Sequence, residues 1–229
     1  MDFRTVGGGG GAPKKLTDTF TRADTTAGLG NGWYGAGNTE FAASPGHYSA
    51  ARILSNKARF FLGGPGGGTP PGTAYVNPQI FPGLNGKNQF CEMIVSAINI
   101  TVASLEIGPM VAYNGDPFNG TGTCYSVFYA NSLTSANFVV WGGQDFQTAV
   151  YTLQNNITVA IGDRIRLSVQ FASAANTVIV SRNGVAVFTS VDNNASRPGI
   201  IGIPGIYVGV ANAAGSTCDV SSFSCGAGT

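Results

Sequence analysis

Few residues in this chain are equipped for chemistry, and their spacing limits what they can do. The glutamates are Glu40, Glu92 and Glu106 alone. Glu92 runs into Met-Ile-Val-Ser and Glu106 into Ile-Gly-Pro-Met, so neither is followed by a second carboxylate on the same strand face. Cleavage of a glycosidic bond uses two such groups, one as acid and one as nucleophile or base. His47, the single histidine, lies in the turn-like Pro45-Gly46-His47-Tyr48 and reads as a structural residue, so a Ser-His-Asp relay has no base. Cys91, Cys124, Cys218 and Cys225 lack the C-x-x-C spacing of a zinc site, and one histidine cannot complete such a set. The run from Gly7 to Gly11 precedes no Gly-Lys-Ser/Thr and so makes no phosphate loop. These residues predict a chain that is not an enzyme and has no catalytic site.

Binding is better provided for. Stacking on a pyranose ring needs an aromatic face flanked by polar side chains. Tyr113-Asn114-Gly-Asp116 and Trp141-Gly-Gly-Gln144-Asp145 have that makeup and fall at the ends of expected strands. Tyr113, Asn114, Trp141, Gln144 and Asp145 are therefore candidate carbohydrate-binding residues, although both aromatics would serve equally well in packing or at an interface. The formal net charge is +1, so no field draws the molecule to nucleic acid or to an anionic membrane.

The elements that must position these residues are strands. Among 229 residues, 43 % are apolar and only 10 % charged, against roughly 25 % charged in an ordinary soluble domain. Glycine occurs 34 times, and tight turns between short β-branched runs follow from that usage. In residues 164–171, Ile165, Leu167, Val169 and Phe171 alternate with Arg164, Arg166, Ser168 and Gln170, the period of a half-buried strand. Residues 177–189 hold two β-runs around Asn183-Gly184, a pair suited to the two positive φ values of a type I′ hairpin turn. Further strands are expected at 90–98, 105–113, 124–130, 138–141, 149–153, 206–211 and 218–223, with 90–98 apolar on both faces and hence central. About a dozen strands without helices predict one two-sheet antiparallel sandwich over residues 17–229.

Two segments break the rhythm. Residues 1–16 read as an extended glycine-rich arm, which loses much entropy on ordering and buries little of its own, so contact with neighbouring subunits is expected to hold it. Residues 63–87 form a Gly/Pro-rich loop, a second candidate contact surface. The start, Met1-Asp-Phe-Arg-Thr-Val, has no apolar core of a secretory signal. The four cysteines permit three complete pairings, and buried thiols are expected in a reducing compartment.

Asp18-Thr-Phe-Thr-Arg-Ala-Asp24 and Leu29-Gly-Asn-Gly-Trp33 resemble the opening of concanavalin A-like, or laminin-G-like, jelly-roll domains, of the kind found in tail and capsid-associated proteins of tailed bacteriophages. The resemblance continues through Ile161-Gly-Asp-Arg-Ile-Arg-Leu167, the Asn183-Gly184 hairpin, Arg197-Pro-Gly-Ile and the closing Cys218-Asp-Val-Ser-Ser-Phe223. It implies two stacked sheets with a concave face, first and last strands side by side, and commonly carbohydrate binding. Retaining glucanases of this superfamily carry Glu-x-Asp-x-Glu or Glu-x-Asp-x-x-Glu on one strand, a pattern that Glu40, Glu92 and Glu106 do not provide. Members often hold a structural calcium; Asp18, Asp24 and Asp219 would converge if the end strands pair, and Asn114-Gly-Asp116 and Asp192-Asn-Asn194 offer further oxygens. Turn capping is the favoured role of these groups, so no cofactor is expected. The resemblance implies a non-enzymatic virion structural protein, capsid-decorating or tail-associated, in contact with other virion subunits including copies of itself. The alternative is an adsorption module for host-surface carbohydrate.

Overall fold

The computed structural model describes residues 15–25, 28–30, 33, 50–62, 73–76, 88–99, 105–114, 122–130, 134–142, 148–200, 202–210 and 216–227. The expected arm up to residue 14, His47 and most of the 63–87 loop lie outside the described residues. Fourteen strands are described: β1 (Leu16–Asp18), β2 (Ala50–Ile53), β3 (Ala58–Leu62), β4 (Thr73–Val76), β5 (Gln89–Asn99), β6 (Leu105–Tyr113), β7 (Cys124–Ala130), β8 (Ser135–Gly142), β9 (Thr148–Thr158), β10 (Arg164–Gln170), β11 (Asn176–Arg182), β12 (Val185–Asp192), β13 (Ile203–Val210) and β14 (Ser216–Ala227).

They form two antiparallel sheets. One has eight strands in the order β12-β11-β10-β5-β14-β3-β2, with β1 also paired to β14; the other runs β4-β13-β6-β7-β8-β9. As expected, the first and last described strands are neighbours, Leu16 opposite Cys225 and Asp18 opposite Phe223. The expected central strand is central: β5 lies between β10 and β14.

The main core fills the space between the sheets. In β10 the alternation is realised, with Ile165, Leu167 and Val169 no more than 2 % exposed. Each such side chain contributes about 1.5–3 kcal/mol by leaving water. The β11–β12 turn has φ of 52° at Asn183 and 87° at Gly184, the pair of positive angles that Asn-Gly favours.

The opening motif is a latch on the edge of this core. Asp18 Oδ1 accepts from the Phe20 amide (2.7 Å) and from Arg22 Nη1 (2.7 Å), while Oδ2 accepts from Arg22 Nη2 (3.0 Å) and Trp33 Nε1 (2.8 Å). Arg22 Nε and Nη2 also donate to the Leu29 carbonyl at 3.0 and 2.6 Å. Phe20 takes a positive φ of 56°, uncommon for a non-glycine residue, and burial of its ring against Trp33 at 5.9 Å offsets the strain. The spacing of Asp18, Phe20, Arg22, Leu29 and Trp33 is thus the spacing of one polar knot seated on an aromatic cluster that includes Phe223, 4.8 Å from Trp33.

The sheets are also joined by polar contacts through the core. Ala112, at a positive φ of 59°, marks a bulge in β6, where the register to β13 changes between Ile203 and Gly205. The Ala112 amide donates to Gln89 Oε1 of β5 at 3.0 Å, and Gln89 Nε2 donates to the Gly202 carbonyl at 2.7 Å. Gln89 is fully buried; its amide answers backbone groups that the bulge takes out of the ladder. A Cβ on Gly202 would lie 2.5 Å from the Ala112 carbonyl carbon, so only glycine permits this approach.

Candidate functional site

The six-stranded sheet separates two apolar clusters. Ile107, Val111, Tyr125, Val127, Phe138 and Ile206 face the main core. Met110, Tyr113, Cys124, Phe128, Val139, Ile203 and Tyr207 make a second cluster on the opposite face, and all of them are buried. Glu106 of β6 belongs to this second set by alternation with Ile107, and it is half-buried. Tyr207 of β13 donates to Glu106 Oε2 at 2.8 Å.

This pairing is built by one glycine. Gly108 lies between Tyr207 and Phe128: it is opposite Tyr207 in the β6–β13 register, and a Cβ there would fall 1.8 Å from the Val127 carbonyl oxygen and 2.7 Å from the Phe128 Cα. Tyr207 and Phe128 close over the position from the two neighbouring strands, ring centroids 5.6 Å apart. Tyr207 is thereby fixed with its hydroxyl on Glu106. Burial raises the Glu106 carboxyl above the ordinary glutamate range, against the opposing effect of the Tyr207 hydrogen bond. Burial and the adjacent Glu106 charge push the Tyr207 phenol well above its ordinary value, so it stays a donor. The site therefore offers a carboxyl that exchanges protons at a higher pH than an exposed one, held by a phenol that does not ionise.

The sequence-derived candidates distribute around this face unevenly. Tyr113 ends β6 on the same side but is 1 % exposed, so its ring is packing rather than a stacking platform. Asn114 is exposed, and its Oδ1 accepts from the Thr123 amide (2.9 Å) and hydroxyl (3.2 Å), closing the β6–β7 end. Trp141 lies in β8 opposite Cys124 and Ala149, within two strands of Tyr113. Gln144 and Asp145 are outside the described residues. Sequence reasoning missed Glu106, Gly108 and Tyr207, because Glu106 and Tyr207 are 101 residues apart and only the β6–β13 register brings them together.

The acidic groups considered for calcium do not converge. Asp18 is taken by Arg22 and Trp33, Asp219 by Arg59 (2.6 and 2.8 Å), and Asp24 Oδ1 by the Ser55 amide (2.7 Å). Asp192 Oδ2 accepts from both Tyr125 and Tyr151 at 2.6 Å, and Oδ1 from the Asn194 amide at 3.1 Å. Among the described residues no group of three His, Cys, Asp or Glu side chains could hold a metal ion. Asp116 is outside the described residues. Asp192 instead ties β12 of the large sheet to β7 and β9 of the small one, and Asn176 Nδ2 completes the knot by donating to the Tyr125 hydroxyl and the Pro198 carbonyl, both at 2.9 Å.

No protein-family model matches the chain, and no curated protein does. Solved structures do match. A Crh5 transglycosylase superposes with a TM-score of 0.57 at 12 % identity, over 94 % of this chain and 84 % of the other. An endo-1,3-beta-glucanase from Streptomyces sioyaensis gives 0.53 at 12 % identity, over 98 % and 100 %. SCLam, a non-specific endo-beta-1,3(4)-glucanase of family GH16, gives 0.51 at 9 % identity, over 93 % and 91 %. The fold is a concanavalin A-like jelly roll. At these identities the likeness speaks for the jelly roll alone, and for its extent over nearly the whole chain.

One expectation changes with it. The missing carboxylate pair predicts a chain that is not an enzyme, yet the matching jelly rolls carry the names of glucanases and a transglycosylase. The exclusion of catalysis does not stand. Its physical weakness is that spacing along one strand sees only that strand, whereas a jelly-roll face gathers groups from several, as it does Glu106 and Tyr207 from β6 and β13.

Proposed function

We propose that this jelly roll is carried on a virion and recognises a host-surface polysaccharide on the side of its six-stranded sheet away from the main core. The observation that carries the glycan reading is the Glu106–Tyr207 pair: a half-buried carboxyl, oriented by a phenol at 2.8 Å, on the face opposite the main core. Sugar hydroxyls are recognised by a few fixed polar groups; the apolar cluster beside the pair is buried and supplies packing rather than a stacking surface. Asn114, exposed where β6 ends, adds an amide at the rim. The virion reading is supported by the order of the jelly-roll motifs along the chain and by the sparse charge, which favours coverage by other subunits, copies of this chain among them.

Isothermal titration against host cell-wall polysaccharides tests the glycan reading. Wild-type protein is expected to bind, Glu106→Gln to bind about tenfold more weakly, a loss of roughly 1.4 kcal/mol; wild type that binds none of them refutes it. Immunogold labelling of intact particles tests location, with labels on shell or tail expected and unlabelled particles refuting it.

A second reading rests on the same geometry: a half-buried carboxyl held by the Tyr207 phenol at 2.8 Å, its protonated form favoured by burial, suits proton donation to a leaving glycosidic oxygen. Release or transfer of glucan oligosaccharides, abolished in Glu106→Gln, would establish it; equal rates in both proteins would remove Glu106 from that role.

A further inference from the structure

Four cysteines permit three pairings, and the topology selects among them. In the β5–β14 ladder Cys91 stands directly opposite Cys225. Both side chains lie in the main core between the sheets and are fully buried. Directly opposed residues in an antiparallel pair have Cα atoms about 4.5 or 5.5 Å apart, and a disulfide spans about 4.4–6.8 Å. Cys218 shares β14 and the core, but its ladder partners are Ile98 and Phe60. Cys124 is in the second cluster, on the far side of the six-stranded sheet from Cys218. All four are thiols here, and Cys91 Sγ donates to the Gly205 carbonyl at 3.1 Å.

We propose that Cys91 and Cys225 are a cross-strand dithiol that closes to a disulfide in an oxidising medium, locking the last described strand to the central strand, while Cys124 and Cys218 remain thiols. With a low-molecular-weight disulfide such as oxidised glutathione, one protein thiolate attacks it and expels a glutathione thiolate. The second protein thiolate then attacks the mixed disulfide and expels the other. Two electrons pass from the protein to the reagent, two glutathione thiols form, and the two protons lost by the cysteines end on them. Burial raises both thiols, so the attacking thiolate is scarce while β5 and β14 stay paired. Closure is therefore slow in the native protein and fast during refolding.

The test counts thiols after denaturation, before and after refolding of the full chain with oxidised glutathione. Reduced protein should show four and oxidised protein two, with an intact mass lower by two hydrogens and a higher melting temperature. Cys124→Ala and Cys218→Ala should keep the loss of two thiols, and Cys91→Ala and Cys225→Ala should abolish it. Four thiols after oxidation, glutathione adducts that never resolve, or a loss that persists without Cys225 would each overturn the assignment. Should an alanine variant fail to fold, mapping the linked peptides in oxidised wild type decides the same point.

Discussion

Asp18 and Arg22 form a two-pronged ion pair, with contacts of 2.7 and 3.0 Å, on a carboxylate that is only 8 % exposed. Removing the carboxylate leaves Arg22 and the Trp33 indole N–H without their shared acceptor. Because Arg22 is 20 % exposed, the cost should be somewhat below that of a fully buried pair, about 2–3 kcal/mol for Asp18→Ala. Urea unfolding measures it, and a loss under about 0.5 kcal/mol would show that the knot is incidental.

Acid should weaken the same knot. Burial alone would raise the Asp18 carboxyl, but Arg22, the Phe20 amide and Trp33 outweigh it and hold it below the ordinary value. Asp163 is lowered in the same way, its burial outweighed by Asn183, the Ala160 amide and Arg182. A carboxyl lowered on folding stabilises the native state above its unfolded value, about 3.9 for Asp, and that contribution is lost as pH falls through the native values. Melting temperatures followed downward from about pH 5 should fall, and fall less in Asp18→Asn than in wild type.

Glu106 should behave in the opposite sense. Its carboxyl is raised by burial, so its contribution is present below the unfolded value of about 4.3 and declines as pH rises through the native value. Glu106→Gln keeps the shape and removes the charge. Urea midpoints should show the variant as stable as wild type near pH 4 and more stable near pH 7. A variant less stable at neutral pH would mean that the carboxylate form is the favoured one on this face.

Gly108→Ala should not fold. The added carbon would sit 1.8 Å from a carbonyl oxygen of the neighbouring strand, and that strand cannot yield without breaking the Phe128–Tyr207 contact. A loss above about 4 kcal/mol is expected, read as insoluble expression or absent cooperative melting. A soluble, cooperatively melting variant would contradict the close approach of β6 and β7.

Tyr125→Phe should cost about 1–2 kcal/mol, because Asp192 keeps Tyr151 and Asn176 keeps the Pro198 carbonyl. The double change Tyr125→Phe with Tyr151→Phe should cost more than the sum, since it strips Oδ2 of both donors. Additive losses in a double-mutant cycle would mean that the two phenols act separately.

Local rules made much of the fold legible. Asn183-Gly184 announces its turn because few other pairs accept two positive φ angles, and the alternation of residues 164–170 announces a half-buried strand. The opening of the jelly roll is legible only as a family resemblance; the reason for the spacing of Asp18, Arg22 and Trp33 is the hydrogen-bonded knot they form. Asn114 is exposed where β6 ends and Trp141 lies in β8, but neither position points along the chain to Glu106 or Tyr207. Tyr113 has the composition of a sugar platform, but the Ala112 bulge returns it to a packed cluster, and a bulge leaves no local signal in Val-Ala-Tyr. Glu106 meets Tyr207, and Cys91 meets Cys225, through ladder register between distant segments, which no window along the chain contains.

The place of β14 has a bearing on synthesis. Residues 216–227 sit between β5 and β3 inside the eight-stranded sheet. Until they leave the ribosome, a nascent chain presents two bare inner edges, each able to pair with a neighbouring polypeptide. The eight-stranded sheet should therefore close only once residues 216–227 have emerged, and polysome crowding or a missing chaperone before that point should divert the chain into inclusion bodies.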